Sequence, residues 1–161
     1  FYLALRITNI PVGLIGGQLS RVFVGEASRQ LRQGTLFSFT AKLMRTLFLV
    51  ALGPAILSIL FAPYVANAAF GDEWSRVADM LILLIPAALL QFCVSPVSTA
   101  LHVCSRQATS LILQLGGLFW QVGTLLLCAK TGIAEPITGF AIGSMIHYAI
   151  YSVVVLLVVR N

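Results

Sequence analysis

Five stretches of this chain are each long and apolar enough to cross a lipid bilayer, and no other feature constrains its fold as much. A helix rises about 1.5 Å per residue and the hydrocarbon is about 30 Å thick, so one crossing takes about 20 mostly apolar residues. Such stretches cover residues 1–24, 43–62, 78–103, 108–129 and 137–159, the first being the most polar. Inside hydrocarbon every backbone N–H and C=O must find its partner within the protein, so runs of this length fold as helices. The expected fold class is therefore all-α, a polytopic transmembrane helix bundle with about five spanning helices. Composition agrees: 59% of the residues are hydrophobic and 9% charged, against about 25% charged in soluble domains. Membrane lipids are the expected surroundings.

The charges fall in the connections and fix an orientation. Arg21, Arg29, Arg32, Lys42 and Arg45 surround the first connection, Arg106 sits in the third, and Arg160 follows the last stretch. The second connection holds Asp72 and Glu73 against Arg76, and the fourth Lys130 against Glu135. Basic residues thus gather on alternate sides, and the basic side of a membrane protein is cytoplasmic. The expected topology places the C-terminus in the cytoplasm. Residues 26–45 are further expected to form an amphipathic helix at the interface. Leu31, Leu36, Phe37, Phe39, Leu43 and Met44 would dip into the boundary there while the cations meet anionic headgroups.

Enzyme signatures are missing. His102 and His147 are far apart, and no carboxylate lies deep in an apolar stretch. No paired-carboxylate, metal-spaced or phosphate-loop motif is present, so no catalytic residue, metal or cofactor is expected. Cys93, Cys104 and Cys128 lack paired spacing and read as small buried hydrophobes. In so apolar a chain the net charge of +5 reads as loop charge that sets topology, and no nucleic-acid partner is expected.

The residues that could carry chemistry are polar groups placed within the membrane. Arg6, Thr8 and Asn9 lie in the first stretch, with Gln18 and Ser20 further on. A charge in hydrocarbon costs at least about 2.5–3.5 kcal/mol, so Arg6 either faces a hydrated cavity or reaches outward to the interface. Its planar guanidinium would suit a phosphate or carboxylate. Gln91, Ser95 and Ser98 share one face of the third stretch, and Gln114 and Gln121 stand seven apart in the fourth. Each set fits a cavity wall or hydrogen bonding between helices. Gly13/Gly17, Gly139/Gly143 and the pair Gly116-Gly117 permit close helix contact. Pro11, Pro54, Pro86 and Pro96 interrupt the spans.

Several segments, taken in order, resemble one family. YLALRITNIPVGLIGGQLSRVFVGEASRQLRQG, FAPYVANAAFGDEW and LLQFCVSPVSTALHVCSRQ resemble the C-terminal half of bacterial polysaccharide exporters. These belong to the multidrug/oligosaccharidyl-lipid/polysaccharide transporter superfamily. Gly25 departs from the pattern, where members often have Pro. The resemblance implies two six-helix lobes, with residues 1–161 as the C-terminal transmembrane lobe and a partner lobe from the missing N-terminal part of the same protein. It further implies a multi-pass protein of the bacterial inner membrane that moves an undecaprenyl-pyrophosphate-linked oligosaccharide to the periplasmic leaflet by alternating access. Arg6 would then hold the diphosphate, and Asn9, Gln18, Gln91, Ser95, Gln114 and Gln121 would line the cavity. The alternatives are a cation-coupled multidrug exporter of the same superfamily and a non-transporting membrane assembly subunit. A cationic cargo would be repelled by Arg6.

Overall fold

The computed structural model describes residues 2–70, 75–132 and 135–160, with side chains for Arg6, 13–64, 78–132 and 135–160. The chain folds as α1 (Tyr2–Arg32), α2 (Leu36–Phe70), α3 (Ser75–Val97), the single-turn α4 (Ala100–Val103), α5 (Gln107–Thr131) and α6 (Pro136–Arg160). No strand occurs among the described residues. Four segments are long and apolar enough to span a membrane: Leu36–Tyr64, Ala78–Val103, Gln107–Thr131 and Pro136–Arg160. The protein is thus a multi-pass helical membrane protein. The stretch expected to span over 1–24 lies on α1, and most of the side chains of its first half fall outside the described residues.

Sequence dictates where the helices stop. Gly34 takes the left-handed conformation at φ 69°. Around it, Thr35 N–H donates to the Gln30 carbonyl at 3.0 Å and Gly34 N–H to that of Leu31 at 3.2 Å. These two bonds close a Schellman cap on α1, which a residue without Cβ adopts freely. The same pair of bonds ends α4, from Arg106 N–H to the Leu101 carbonyl at 2.7 Å and from Ser105 N–H to that of His102 at 3.1 Å. Ser105 holds φ 57° there, a strained choice for a residue with a side chain. Gly132, at φ 64°, caps α5 through a 3.0 Å bond to the Cys128 carbonyl.

Two expectations about the connections change. The segment 26–45 forms no separate interfacial helix: α1 runs to Arg32 and α2 starts at Leu36, with a short turn between. Leu36 is buried, and Phe39, Leu43 and Met44 pack against the core it belongs to, so of the six hydrophobes only Leu31 and Phe37 remain exposed. Protein, not lipid, takes the others. Beyond the second span, α2 continues through Pro63 to Phe70, where a loop was expected; the segment 71–74 lies outside the described residues.

Proline shapes the other end of α3. Pro96 has no N–H to give, which breaks the ladder near its position. Hydroxyls of the following residues satisfy carbonyls there: Ser98 Oγ donates to Ser95 at 2.8 Å and Thr99 Oγ1 to Pro96 at 2.6 Å. The chain then turns into α4.

The arrangement is an open layer centred on α3. This helix packs on α1, α2 and α6, while α5 packs mainly on α6. Residues buried inside the protein make up 33% of the α3 span but 6% of the α2 and α5 spans. The accessible surface is 9773 Å², against about 7,800 Å² expected for a compact soluble monomer of this mass. The excess is apolar: Phe48, Ile56 and Phe61 on α2 and Leu111, Phe119 and Trp120 on α5 all stand exposed. Such faces suit lipid tails.

One core cluster joins Phe23 and Ala27 of α1, Leu36 of α2, Val94 and Val97 of α3, Leu101 of α4, and Tyr151 and Val155 of α6. Stacked Phe23 and Phe39 rings, 5.6 Å apart, tie α1 to α2 within it. The cluster brings Arg21, Arg29, Arg32, Lys42, Arg45, Arg106 and Arg160 to one end of the layer, all exposed. One carboxylate joins them. Glu26 accepts a 2.7 Å bond from Gln30 and pairs with Arg29 at 2.7 Å. The Gln30 hydrogen bond, aided by Arg29, holds its carboxyl below the usual range.

Candidate functional site

Polar side chains of the membrane-embedded region occupy three places. The first is the seam between α1 and α3. Ser20 Oγ donates to the Gly16 carbonyl at 2.8 Å and reaches the Ser95 carbonyl at 3.4 Å. A Cβ on Gly16 would stand 2.9 Å from Ser95 Oγ, so glycine is what lets the two helices meet here. Gly13 and Gly17, the pair expected to serve close packing, have nothing within 4 Å of a built Cβ. The contact falls one residue away from them. Ser95 is therefore a packing group against α1, and Gln91 stands half-buried a turn before it.

The second place is the seam between α5 and α6. Ser110, Gln114, Gly117, Gln121, Thr124 and Cys128 follow one another at alternating steps of four and three, which keeps them on one face of α5. They meet Gly139, Gly143, His147 and Tyr151 of the antiparallel α6. A Cβ on Gly143 would lie 2.7 Å from Thr124 Oγ1, and one on Gly139 3.1 Å from the Thr124 carbonyl and against the Cys128 sulfur. Gly139-x-x-x-Gly143 thus works as a small-residue contact, as small residues do between membrane helices. Further along, the His147 imidazole lies on Gly117, where any Cβ would overlap the ring. Ser110 Oγ and the Tyr151 hydroxyl are 3.4 Å apart, and Gln114 Nε2 donates to Ser110 Oγ at 3.3 Å. Gln121 hydrogen-bonds the Tyr148 hydroxyl.

The third place is an exposed strip of α1 that flanks its contact with α3, beside the exposed apolar Leu14, Ile15 and Val22. Gly13, Gly17 and Arg21 follow at intervals of four, and Arg6 stands two turns before Gly13 on the same side. All four are exposed, and Gln18 is exposed next to them. Because α1 packs along the membrane-spanning α3, at Gly16 against Ser95, the Gly13–Gly17 part of this strip runs beside that span, while Arg21 stands at the cationic end of the layer. Fifteen residues separate the two guanidinium-bearing positions, about 22 Å along the helix.

Of the seven residues singled out in the sequence, the six with described side chains do not converge on one point. Arg6 and Gln18 lie on the outer part of α1, and the side chain of Asn9 falls outside the described residues. Ser95 serves the α1 seam with Gln91 above it, and Gln114 and Gln121 serve the α6 seam. Arg21, counted as a loop charge from the sequence, joins Arg6 on the α1 face. Its helical interval from Arg6 was the available signal. Among the described residues no group of three or more His, Cys, Asp or Glu could hold a metal ion, and the three cysteines are free thiols. No protein-family model, curated protein or solved structure matches the chain.

Proposed function

We propose that this chain is the C-terminal lobe of a flippase that carries an oligosaccharide, linked through a diphosphate to a polyprenyl lipid, across the bacterial inner membrane. The observation that carries the reading is the α1 face, where Arg6 and Arg21 stand exposed beside Gly13 and Gly17 on a helix packed along a membrane span. Arg6, far from the cationic end that holds Arg21, is costly against lipid tails and natural against a water-filled cavity. Glycines between them leave room for a bulky headgroup to pass. A guanidinium fork pairs with diphosphate oxygens, and two forks about 22 Å apart offer one station nearer each side of the membrane.

The likeness to polysaccharide exporters supports the same substrate class. The end bearing seven cations would face the cytoplasm, where basic residues are retained. A cation-coupled drug exporter fits less well. In the four apolar spans among the described residues the single carboxylate, Asp79, sits exposed one residue into the Ala78–Val103 segment. In proteoliposomes containing the complete protein, a fluorescent lipid-linked oligosaccharide on one leaflet is expected to reach the other leaflet. Equal rates with and without protein would refute the flippase reading.

A further inference from the structure

We propose that His147 is the proton-binding site of this lobe, and that taking up a proton there loosens the seam between α5 and α6. The purpose of such a site rests on the transporter reading, since movement of a charged headgroup needs an energy source and the described spans hold no buried carboxylate to bind a coupling ion. The site itself rests on geometry.

His147 is twelve residues into the 25-residue α6, near the middle of the membrane. Histidine is the side chain whose ordinary titration lies closest to neutral pH. Its ring is pressed onto Gly117, where no other residue type would leave space. Among the described residues no hydrogen bond to either ring nitrogen holds it in place. The Tyr148 ring is 5.2 Å away, tilted, and the Tyr151 ring 5.9 Å away, edge-on. These rings pack against the imidazole and offer it no hydrogen-bond acceptor through their carbon edges. On α5, Gln114 and Gln121 flank Gly117 by about one turn on each side, and each amide oxygen could accept from an imidazolium N–H.

The charged and titratable groups around this level are few. Facing His147 from α6 itself are Tyr148 and Tyr151, and α5 brings only uncharged polar groups. Among the described side chains of α3 the titratable ones are Asp79, exposed near its start, and Cys93, buried. From α2 and α4, which meet α6 toward its C-terminal end, come Lys42, Arg45 and His102, all exposed. Among the described residues no carboxylate faces the ring to neutralise an added charge.

The step is a simple protonation: neutral imidazole takes H⁺ from water and becomes imidazolium, with two N–H donors and a net positive charge. Pressed on the Gly117 backbone, that ion has no acceptor. It finds partners when α5 slides or tilts so that Gln114 or Gln121 and water reach the ring nitrogens. Seam opening and proton uptake are then one event, reversible on deprotonation.

Solid-state NMR of the complete protein, labelled with ¹⁵N-histidine and held in bilayers, tests the proton site, with exposed His102 as an internal reference. Between pH 8 and pH 5 the His147 nitrogens are expected to pass from neutral to imidazolium shifts. Spin labels at Val122 and Ile146, in a cysteine-free background, are expected to move apart over the same range, and to stay fixed in His147→Gln. A His147 neutral throughout, or an equal movement in His147→Gln, would overturn the proposal. Both readouts are independent of transport, so a failed flippase assay with a titrating His147 would remove only its proposed purpose.

Discussion

Replacing Gly117 with leucine is expected to detach α5 from the bundle, while the same replacement at Gly116 leaves the fold intact. The two glycines are neighbours on one helix, yet a Cβ on Gly117 would overlap the His147 ring and one on Gly116 meets nothing within 4 Å. His147 cannot give way easily, because the Tyr151 ring stands edge-on beside it and α6 is fixed behind by Ala141, Ser144 and Val155, all buried. Overpacking a tight contact costs about 1–3 kcal/mol and occasionally more. The loss does not stay local. Lifting α5 also separates Ser110 from Tyr151 and Gln121 from Tyr148, polar contacts worth about 0.6 kcal/mol each in membranes, and unpacks Thr124 from Gly143. Because α5 packs mainly on α6, little else retains it. Reversible unfolding in mixed micelles should show a loss of about 2–4 kcal/mol for Gly117→Leu and a change within about 0.5 kcal/mol for Gly116→Leu.

The second large effect concerns the cations of α1. Arg6→Ala and Arg21→Ala are each expected to cut the translocation rate of a diphosphate-linked lipid about ten- to hundredfold, with membrane insertion unchanged. A hydrogen bond to a charged group contributes about 1.5–3 kcal/mol, and each 1.4 kcal/mol is a factor of ten. Both residues are exposed and neither makes an ion pair within the described chain, so removing them breaks no internal contact. Lysine at either position keeps the charge but loses the fork, and should restore part of the rate. Alanine at Arg32 is the control. It has the same charge and exposure but lies at the end of α1, and its loss should leave the rate within about twofold, as for a solvated surface charge.

Much of this architecture is legible in the sequence, for a clear physical reason. Long apolar runs and sparse loop charges have one solution in a bilayer, and the spanning parts of α2, α3, α5 and α6 follow from them, though the break into α4 and the extension of α2 do not. Partner choice is harder to read. In water an apolar stripe marks the buried face, but in lipid both faces of a helix are apolar, and periodicity no longer separates protein from membrane. Phe39, Leu43 and Met44 look like residues dipping into lipid and instead pack in the core.

Glycine spacing misleads in a similar way. Gly13/Gly17 and Gly139/Gly143 have the same pattern, yet the first pair faces open space and the second clasps Thr124. Gln114 and Gln121 fit a cavity wall and a helix seam equally well until α6 is seen against them. Arg21 hides among loop cations because its place on the Arg6 face emerges only once α1 is continuous through Arg32.

What the proposed function requires above all is water along the exposed face of α1. Single cysteines at Gly13, Gly17 and Phe119 in an otherwise cysteine-free protein, probed in intact vesicles with a membrane-impermeant thiol reagent, measure this directly. All three positions are exposed, and only their surroundings differ. Labelling at Gly13 and Gly17, competed by a diphosphate-linked lipid, with none at Phe119, is the predicted result. Labelling at none of the three would place the α1 face in lipid or dry protein and contradict the transport reading.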